Sequence, residues 1–203
     1  MAIQRTAIAR EKLLRAATDL FRREGYSATT VDTICEAAGV TKGAFFHHFP
    51  SKESLAEECL NQWNCQAAAM ESAAPFHAVS NPLKRARAFM DFYIGLFSNP
   101  HLIKSCLAGT TVQEVADTHP SLREAANACF LQAEIRFKGI LDAACKGKRR
   151  KPDTASLARL WMAAIQGSLI LAKASGDDAV IRTSLEHVRD YIMPTLAGAS
   201  RRA

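Results

Sequence analysis

Two short helix-forming runs meet at Gly39, and that junction limits the fold more than any other stretch of the chain. In TVDTICEAAGVTKGAFFHHFPSK, residues 30–52, Val31, Ile34 and Ala38 fall on one helical face. Gly39 supplies the left-handed backbone that a residue with a Cβ avoids, and Val40 returns the chain toward a core. The second run sets Phe45 and Phe49 on an inner face and turns Lys42, Gly43, Phe46 and His47 outward. A helix this short is not stable alone and has to be held by its neighbours. A cation, a glycine and flat polar rings on its outer face suit a DNA major groove.

The surrounding chain reads as helix throughout. Ile8, Leu13, Ala16, Ala17, Leu20 and Phe21 recur at helical spacing over residues 8–24, and Gly25 followed by Tyr26 is a stop signal. Thr29 or Thr30 caps the next helix, with Asp32 in its first turn. Ser51 opens a fourth helix that runs to Ser72 without Gly or Pro, a rod of roughly 30 Å. Breaks at 73–82, Asn99-Pro100 and Thr118-His119-Pro120 bound helices over 82–98, 102–116 and 121–146. Asp153 and Asp177 start the last two, which end near Ala174 and Met193. The expected fold class is all-α, about nine helices, without a strand pattern or an internal repeat. Residues 1–50 form a three-helix helix-turn-helix head and 51–203 a helical ligand-binding and dimerisation bundle, the domain-family boundary lying nearer 68.

Composition excludes some alternatives. Hydrophobic residues at 48% and charged residues at 23% are ordinary for a soluble globular protein. No apolar run approaches the length of a membrane span, and MAIQRTAIAREK lacks the apolar block of a signal peptide, so a cytoplasmic location is expected. The six cysteines contain no C-x-x-C pair and read as neither a zinc site nor a disulfide framework. No metal or cofactor is expected. The net charge of +6 permits nucleic-acid binding without proving it. Residues 1–52 carry eight Lys and Arg against five Asp and Glu. The run Lys146–Lys151, KGKRRK, fits a solvated loop between helices or a second nucleic-acid contact.

Residues 16–55 carry the pieces A-A-x-x-L-F, G-Y-x-x-T-T-V, A-G-V-x-K-G and H-F-x-S-K-E-x-L in order. In this stretch the chain resembles the tetracycline-repressor (TetR) family of bacterial transcription regulators. The resemblance implies a homodimer that binds a palindromic operator in double-stranded DNA and carries one small-molecule pocket per subunit. Carried over position by position, it implies that Thr30 holds a phosphate. Thr41, Lys42, Gly43 and Ala44 lie along the groove, and His48 and Lys52 reach backbone phosphates. Where family members commonly carry aromatic hydroxyls, this chain has Phe46 and His47. Phe46 packs on sugars or a thymine methyl but donates no hydrogen bond, whereas His47 donates, more strongly when protonated. The N-terminal arm with Arg5 and Arg10 is expected to be disordered without DNA.

In the back half, Leu157, Leu160, Trp161, Ala164, Ile165, Ser168 and Leu171 line one helix and Ile181, Leu185, Val188, Ile192 and Leu196 another. Two such helices suit a four-helix dimer interface or packing inside one bundle. Phe89, Phe92, Tyr93, Phe97, Cys106, Thr110, Gln113, Phe130, Phe137 and Trp161 are the candidate effector pocket, apolar with a few polar groups. Cys106, near a helix start and two residues after Lys104, is either a packing residue or a redox and electrophile sensor. No phosphate loop, G-x-S-x-G, H-E-x-x-H or paired-carboxylate motif points to catalysis, and no catalytic residue is assigned. Residue patterns do not separate a repressor from an activator.

Overall fold

The computed structural model describes residues 2–99 and 105–198, with side chains from Ala7 onward. Among these residues the secondary structure is helical, without strands: α1 (Ala2–Glu24), α2 (Val31–Ala38), α3 (Lys42–His48), α4 (Lys52–Ser72), a 3-10 turn (Pro75–Ala78), α5 (Pro82–Phe97), α6 (Leu107–Val115), α7 (Pro120–Cys145), α8 (Thr154–Ser175) and α9 (Ala179–Ala197). The all-α expectation stands. Side chains start these helices where short oxygens precede the run. Thr30, Thr41, Asn81 and Asp153 each accept a backbone N–H from the first turn of α2, α3, α5 and α8. Ser51 does the same for α4, its hydroxyl accepting from Ser54 N at 3.0 Å.

Three boundaries differ from the sequence reading. The N-terminal arm is not separate: α1 begins at Ala2, Arg10 pairs with Glu58 at 3.0 Å and its guanidinium sits 5.3 Å from the Phe49 ring. The side chain of Arg5 lies outside the described residues, as does Lys104. The helix expected from 102 is described from Leu107. The last helix continues past Met193 through Pro194 to Ala197, because a proline near a helix end sacrifices only one backbone bond.

The described chain forms two compact units that are not consecutive in sequence. The first holds the chain up to Ala67 together with Ser105–Cys129; the second holds the rest. Long-range hydrogen bonds explain why α6 joins the first unit. The Glu114 carboxylate accepts Tyr26 N at 3.2 Å and Ser27 N at 2.9 Å. Arg22 Nε donates to the Ser105 carbonyl at 3.2 Å, and the Ser105 hydroxyl donates back to Arg22 O at 3.1 Å. Leu13, Ala17, Phe21, Ile34, Phe45, Leu55 and Leu60 are all but sealed from solvent in the core of this unit.

The second unit is a bundle in which α9 packs on both α8 and α5. Its core contains Phe89, Met90, Phe137, Leu141, Trp161 and Leu185. The stripes expected on α8 and α9 are spent largely inside this unit: Leu157, Trp161, Ile165, Ser168, Ile181, Leu185, Ile192 and Leu196 are all buried. Leu160, Ile170 and Leu171 of α8 and Tyr191 of α9 remain exposed. The helix α8 is long and apolar enough to cross a membrane by length and composition alone, against the expectation that no run approaches that length; 39% of its apolar window is buried inside the protein.

The corner between α1 and α2 generates a stability prediction. Gly25 has φ +92°, and a Cβ there would lie 2.1 Å from the Glu114 carboxylate. Gly25→Ala therefore meets both a strained backbone and the loss of two hydrogen bonds. It should lower unfolding stability by about 1–3 kcal/mol, read by thermal or denaturant unfolding. A wild-type midpoint would contradict the assignment.

Candidate nucleic-acid interface

The exposed face of the first unit is built on α3, which needs support from both sides because it spans only Lys42–His48. Its inner side is apolar. Phe45 is completely buried and Phe49, at the C-terminal cap, is 3% exposed, with ring centroids 6.1 Å apart. The preceding turn is fixed by Gly39 at φ 64°, ψ 40°, whose N–H reaches the Cys35 and Glu36 carbonyls; Val40 N then donates to Cys35 O at 3.0 Å. This is the left-handed stop expected from a glycine after a helix. Thr41 caps α3 through Ala44 N at 3.2 Å.

The outer side is open. Thr41, Lys42, Gly43, Phe46 and His47 are exposed, while Ala44 and His48 are half-exposed. Phe46 exposes 51% of its surface, an uncommon cost for a phenyl ring that nothing in this unit covers. His47 and His48 stand edge-to-face with centroids 5.1 Å apart. Burial, followed by the neighbouring His47 and Arg10, lowers the pKa of His48 and so disfavours its protonated form. An anion placed against it would offset that penalty.

The cations divide into two kinds. Lys42 is exposed and paired with Asp32 at 2.9 Å, a surface contact worth little that a phosphate can replace. Lys52 is placed quite differently from a free surface cation. Its ammonium donates to the carbonyls of Tyr26 and Thr29, both at 2.8 Å, and lies 4.1 Å from the Tyr26 ring centroid. Burial lowers its pKa, opposed by Glu114. Lys52 thus anchors the α1–α2 corner and keeps one proton for any external acceptor. Thr30 is occupied too: its hydroxyl accepts Thr33 N, while the Thr33 hydroxyl accepts Thr30 N at 3.0 Å. Position alone did not announce the role of Lys52, since the carbonyls it holds lie 26 and 23 residues away.

Gly43 has no internal reason to lack a side chain. A Cβ there would meet nothing nearer than the Thr41 hydroxyl at 3.9 Å. The residue costs helix stability while leaving the backbone open to whatever approaches α3 from outside.

The ten candidate pocket residues fall in both units. Cys106, Thr110 and Gln113 belong to the first, where Gln113 is exposed and its amide donates to Gly109 O at 2.8 Å. The remaining seven belong to the second. Six of these form one aromatic row: Phe92 and Phe97 lie 5.5 and 5.8 Å from Tyr93, Tyr93 lies 4.9 Å from Phe89, Phe89 stacks on Phe137 at 4.5 Å, and Phe137 lies 5.9 Å from Trp161. Phe130 is half-buried outside the row. Sequence reasoning missed Glu71 and Arg136, an ion pair at 2.5 Å beside Tyr93 in which Glu71 is buried and Arg136 half-buried. Two lone charges in amphipathic helices carry no signal until folding brings them together.

Residues 13–59 match the bacterial regulatory proteins of the tetR family, and residues 82–188 match the tetracyclin repressor-like C-terminal domain. The chain is 28% identical over 185 residues to the HTH-type transcriptional regulator LmrA of Bacillus subtilis, covering 90% of this chain and 94% of that protein. It is 26% identical over 195 residues to the HTH-type transcriptional repressor DhaR of a Mycobacterium species, covering 94% and 96%. A crystal structure of a TetR transcriptional regulator from Chloroflexus aurantiacus superposes with a TM-score of 0.80 at 25% identity, covering 93% of this chain and 96% of that one.

Two substitutions separate the cost of building α3 from the purpose of its outer face. Gly43→Ala should raise stability by about 0.5–1 kcal/mol, because the space is open and alanine favours helix. Thr41→Ala should lower it by about 1 kcal/mol through loss of the cap. Thermal unfolding of the two variants checks both signs.

Proposed function

We propose that this chain, which belongs to the tetracycline-repressor (TetR) family of bacterial transcriptional regulators, represses transcription as a homodimer on a palindromic operator and is released by a small molecule. The family and the relatives compared are transcriptional regulators, so the chain is a DNA-binding regulator and not an enzyme. The observation that carries the finer reading is the outer face of α3. An exposed phenyl ring, two imidazoles, a lysine and an open glycine surround a backbone held rigidly from behind.

In this reading Lys42, His47 and His48 meet backbone phosphates, with Thr30 and Lys52 offering what their internal bonds leave free. Gly43 and Ala44 admit the groove wall, and Phe46 packs on sugar or a thymine methyl. Thr41 holds the helix start and adds its hydroxyl. Contacts of this kind give affinity more than sequence choice, because Ala44 presents no hydrogen-bonding group to a base edge.

Dimerisation converts two weak heads into one tight binder, provided the paired helices reach successive major grooves, roughly 34–36 Å apart. Exposed Leu160, Ile170, Leu171 and Tyr191 on α8 and α9 support a face that a second copy covers. The aromatic row from Phe92 to Trp161 supports an apolar effector site, to which Phe130, Cys106, Thr110 and Gln113 are added from the sequence reading. An effector lifts repression only as far as it favours the arrangement that does not bind DNA. A cytoplasmic location accords with a protein whose partner is chromosomal DNA.

A second reading makes Cys106 the sensor. It stands at the N-cap position of α6 without a side-chain cap hydrogen bond and is half-exposed; burial lowers the pKa of Arg22, and Asp19 and then Cys106 oppose that lowering. A guanidinium and a helix N-terminus together favour a thiolate.

A gel-shift against duplex DNA flanking the coding region, followed by a compound screen, tests the proposal. Specific retardation abolished by an added small molecule is the expected result. No shift with any flanking duplex would contradict it, and release by N-ethylmaleimide or peroxide alone would move the reading to Cys106. Lys42→Ala should weaken binding and lower the salt dependence by about one phosphate, measured by anisotropy across salt concentrations.

A pH dependence follows from His48. Its lowered pKa means that the fold carries a penalty when this ring is protonated, a penalty absent at high pH and growing as pH falls through the ordinary histidine range. DNA phosphates favour the protonated ring, so binding takes up a proton. Affinity should rise from pH 8 to pH 6, and His48→Gln should flatten the rise.

A further inference from the structure

The outer face of α3 is rich in donors and poor in acceptors. The helix reads KGAFFHH and carries neither a carboxylate nor a side-chain amide. A lysine only donates, a phenyl ring does neither, and the Thr41 hydroxyl already accepts Ala44 N at 3.2 Å. Such a face tracks phosphates and leaves the bases unread. The acceptor comes from the neighbouring helix. Asp32, in the first turn of α2, holds the Lys42 ammonium with both oxygens, at 2.9 Å through Oδ1 and 3.2 Å through Oδ2. Its side chain is still 72% exposed, so lone pairs stay open to the outside.

The start of α2 does not require this carboxylate. Thr30 and Thr33 cap each other reciprocally: the Thr30 hydroxyl accepts Thr33 N at 3.1 Å, and the Thr33 hydroxyl accepts Thr30 N at 3.0 Å. The exposed Asp32–Lys42 pair adds little to the fold. A carboxylate is also a poor neighbour for phosphates, since like charges brought together cost affinity. Lys42 reduces that cost. Its ammonium has three donor protons, so it keeps Asp32 and still reaches a phosphate.

We propose that Asp32 gives this face its sequence choice, by accepting a hydrogen bond from the amino group of a cytosine in the major groove. This rests on the DNA-binding reading above and adds to it the residue that selects a base. In the major groove only cytosine N4 and adenine N6 donate. Adenine sets its N7 acceptor beside the amino group and repels the second carboxylate oxygen; cytosine presents a C–H there. Guanine and thymine leave the carboxylate unpaired beside the phosphates. The cytosine is thus chosen as much by the penalty on the other bases as by its own bond. Lys42 is a positioning residue here: it holds the carboxylate and offsets its charge.

The test is a change of preferred base rather than a loss of binding. Wild type, Asp32→Asn, Asp32→Ala and Lys42→Ala are each mixed with duplexes of randomised sequence, and the retained duplexes are sequenced. Asp32 is exposed and α2 keeps its threonine caps, so the Asp32 variants fold. Wild type should retain a C·G pair at one position per half-site, by about tenfold over the alternatives. An asparagine amide both accepts and donates and pairs with adenine N6 and N7. Asp32→Asn should therefore retain an A·T pair at that position, and Asp32→Ala no pair in particular, with the other positions unchanged. Lys42→Ala should weaken binding without installing a new pair. Asp32 variants that select the wild-type sequence at every position would overturn the assignment. So would loss of the C·G preference in Lys42→Ala but not in Asp32→Ala, which would make the lysine the reader. A wild-type protein that retains no sequence above the starting library would overturn the regulator reading, and the role of Asp32 with it.

Discussion

The corner between α1 and α2 is the constraint on which the exposed face depends. Five residues turn the chain there, from Gly25 to Thr29, and their polar backbone groups would be costly to leave unpaired. Partners come from three places. Glu114 accepts the N–H groups of Tyr26 and Ser27, Lys52 donates to the Tyr26 and Thr29 carbonyls, and the Thr29 hydroxyl donates to Gly25 O at 2.7 Å. The corner sets how α2 leaves α1, and α2 sets α3 through the Gly39 turn. A seven-residue helix keeps its direction because the chain before it is stapled by side chains from α4 and α6.

Much of this was legible from residue order. The Gly39 turn, the caps at Thr30 and Asp153, the inward Phe45 and Phe49 and the outward Lys42, Phe46 and His47 follow from local rules: helical periodicity, the left-handed turn and short oxygen side chains at helix starts. What failed was long-range. Lys52 looked like a free cation because the Tyr26 and Thr29 carbonyls that hold it lie 26 and 23 residues away. The arm carrying Arg5 and Arg10 looked loose because the pairing of Arg10 with Glu58 cannot be seen by periodicity. The joining of α6 to the first unit runs through Glu114 and through the Arg22–Ser105 pair, none of which has a local signature. The wide stripes on α8 and α9 permitted two outcomes, and packing inside the unit consumed most of both.

Polar economy distinguishes the two units. The first places its charged side chains at the edges of its core, where they brace turns and leave α3 bare. The second buries the Glu71 carboxylate, whose partner Tyr93 stands among aromatic rings. A buried ion pair is a poor source of stability, since apolar residues of the same volume often serve as well. Its use is positional. It ties the last turn of α4 to Tyr93 of α5 and Arg136 of α7.

The central claim is that the outer face of α3 lies against DNA bases and sugars. Replacing Phe46 with the photo-crosslinking residue p-benzoylphenylalanine tests it most directly, because this ring is half exposed and α3 is held from behind. Irradiation with bound duplex should join protein to DNA from position 46, and the same residue at exposed Ile135 should not crosslink. Crosslinking from Ile135 and none from position 46 would contradict the account.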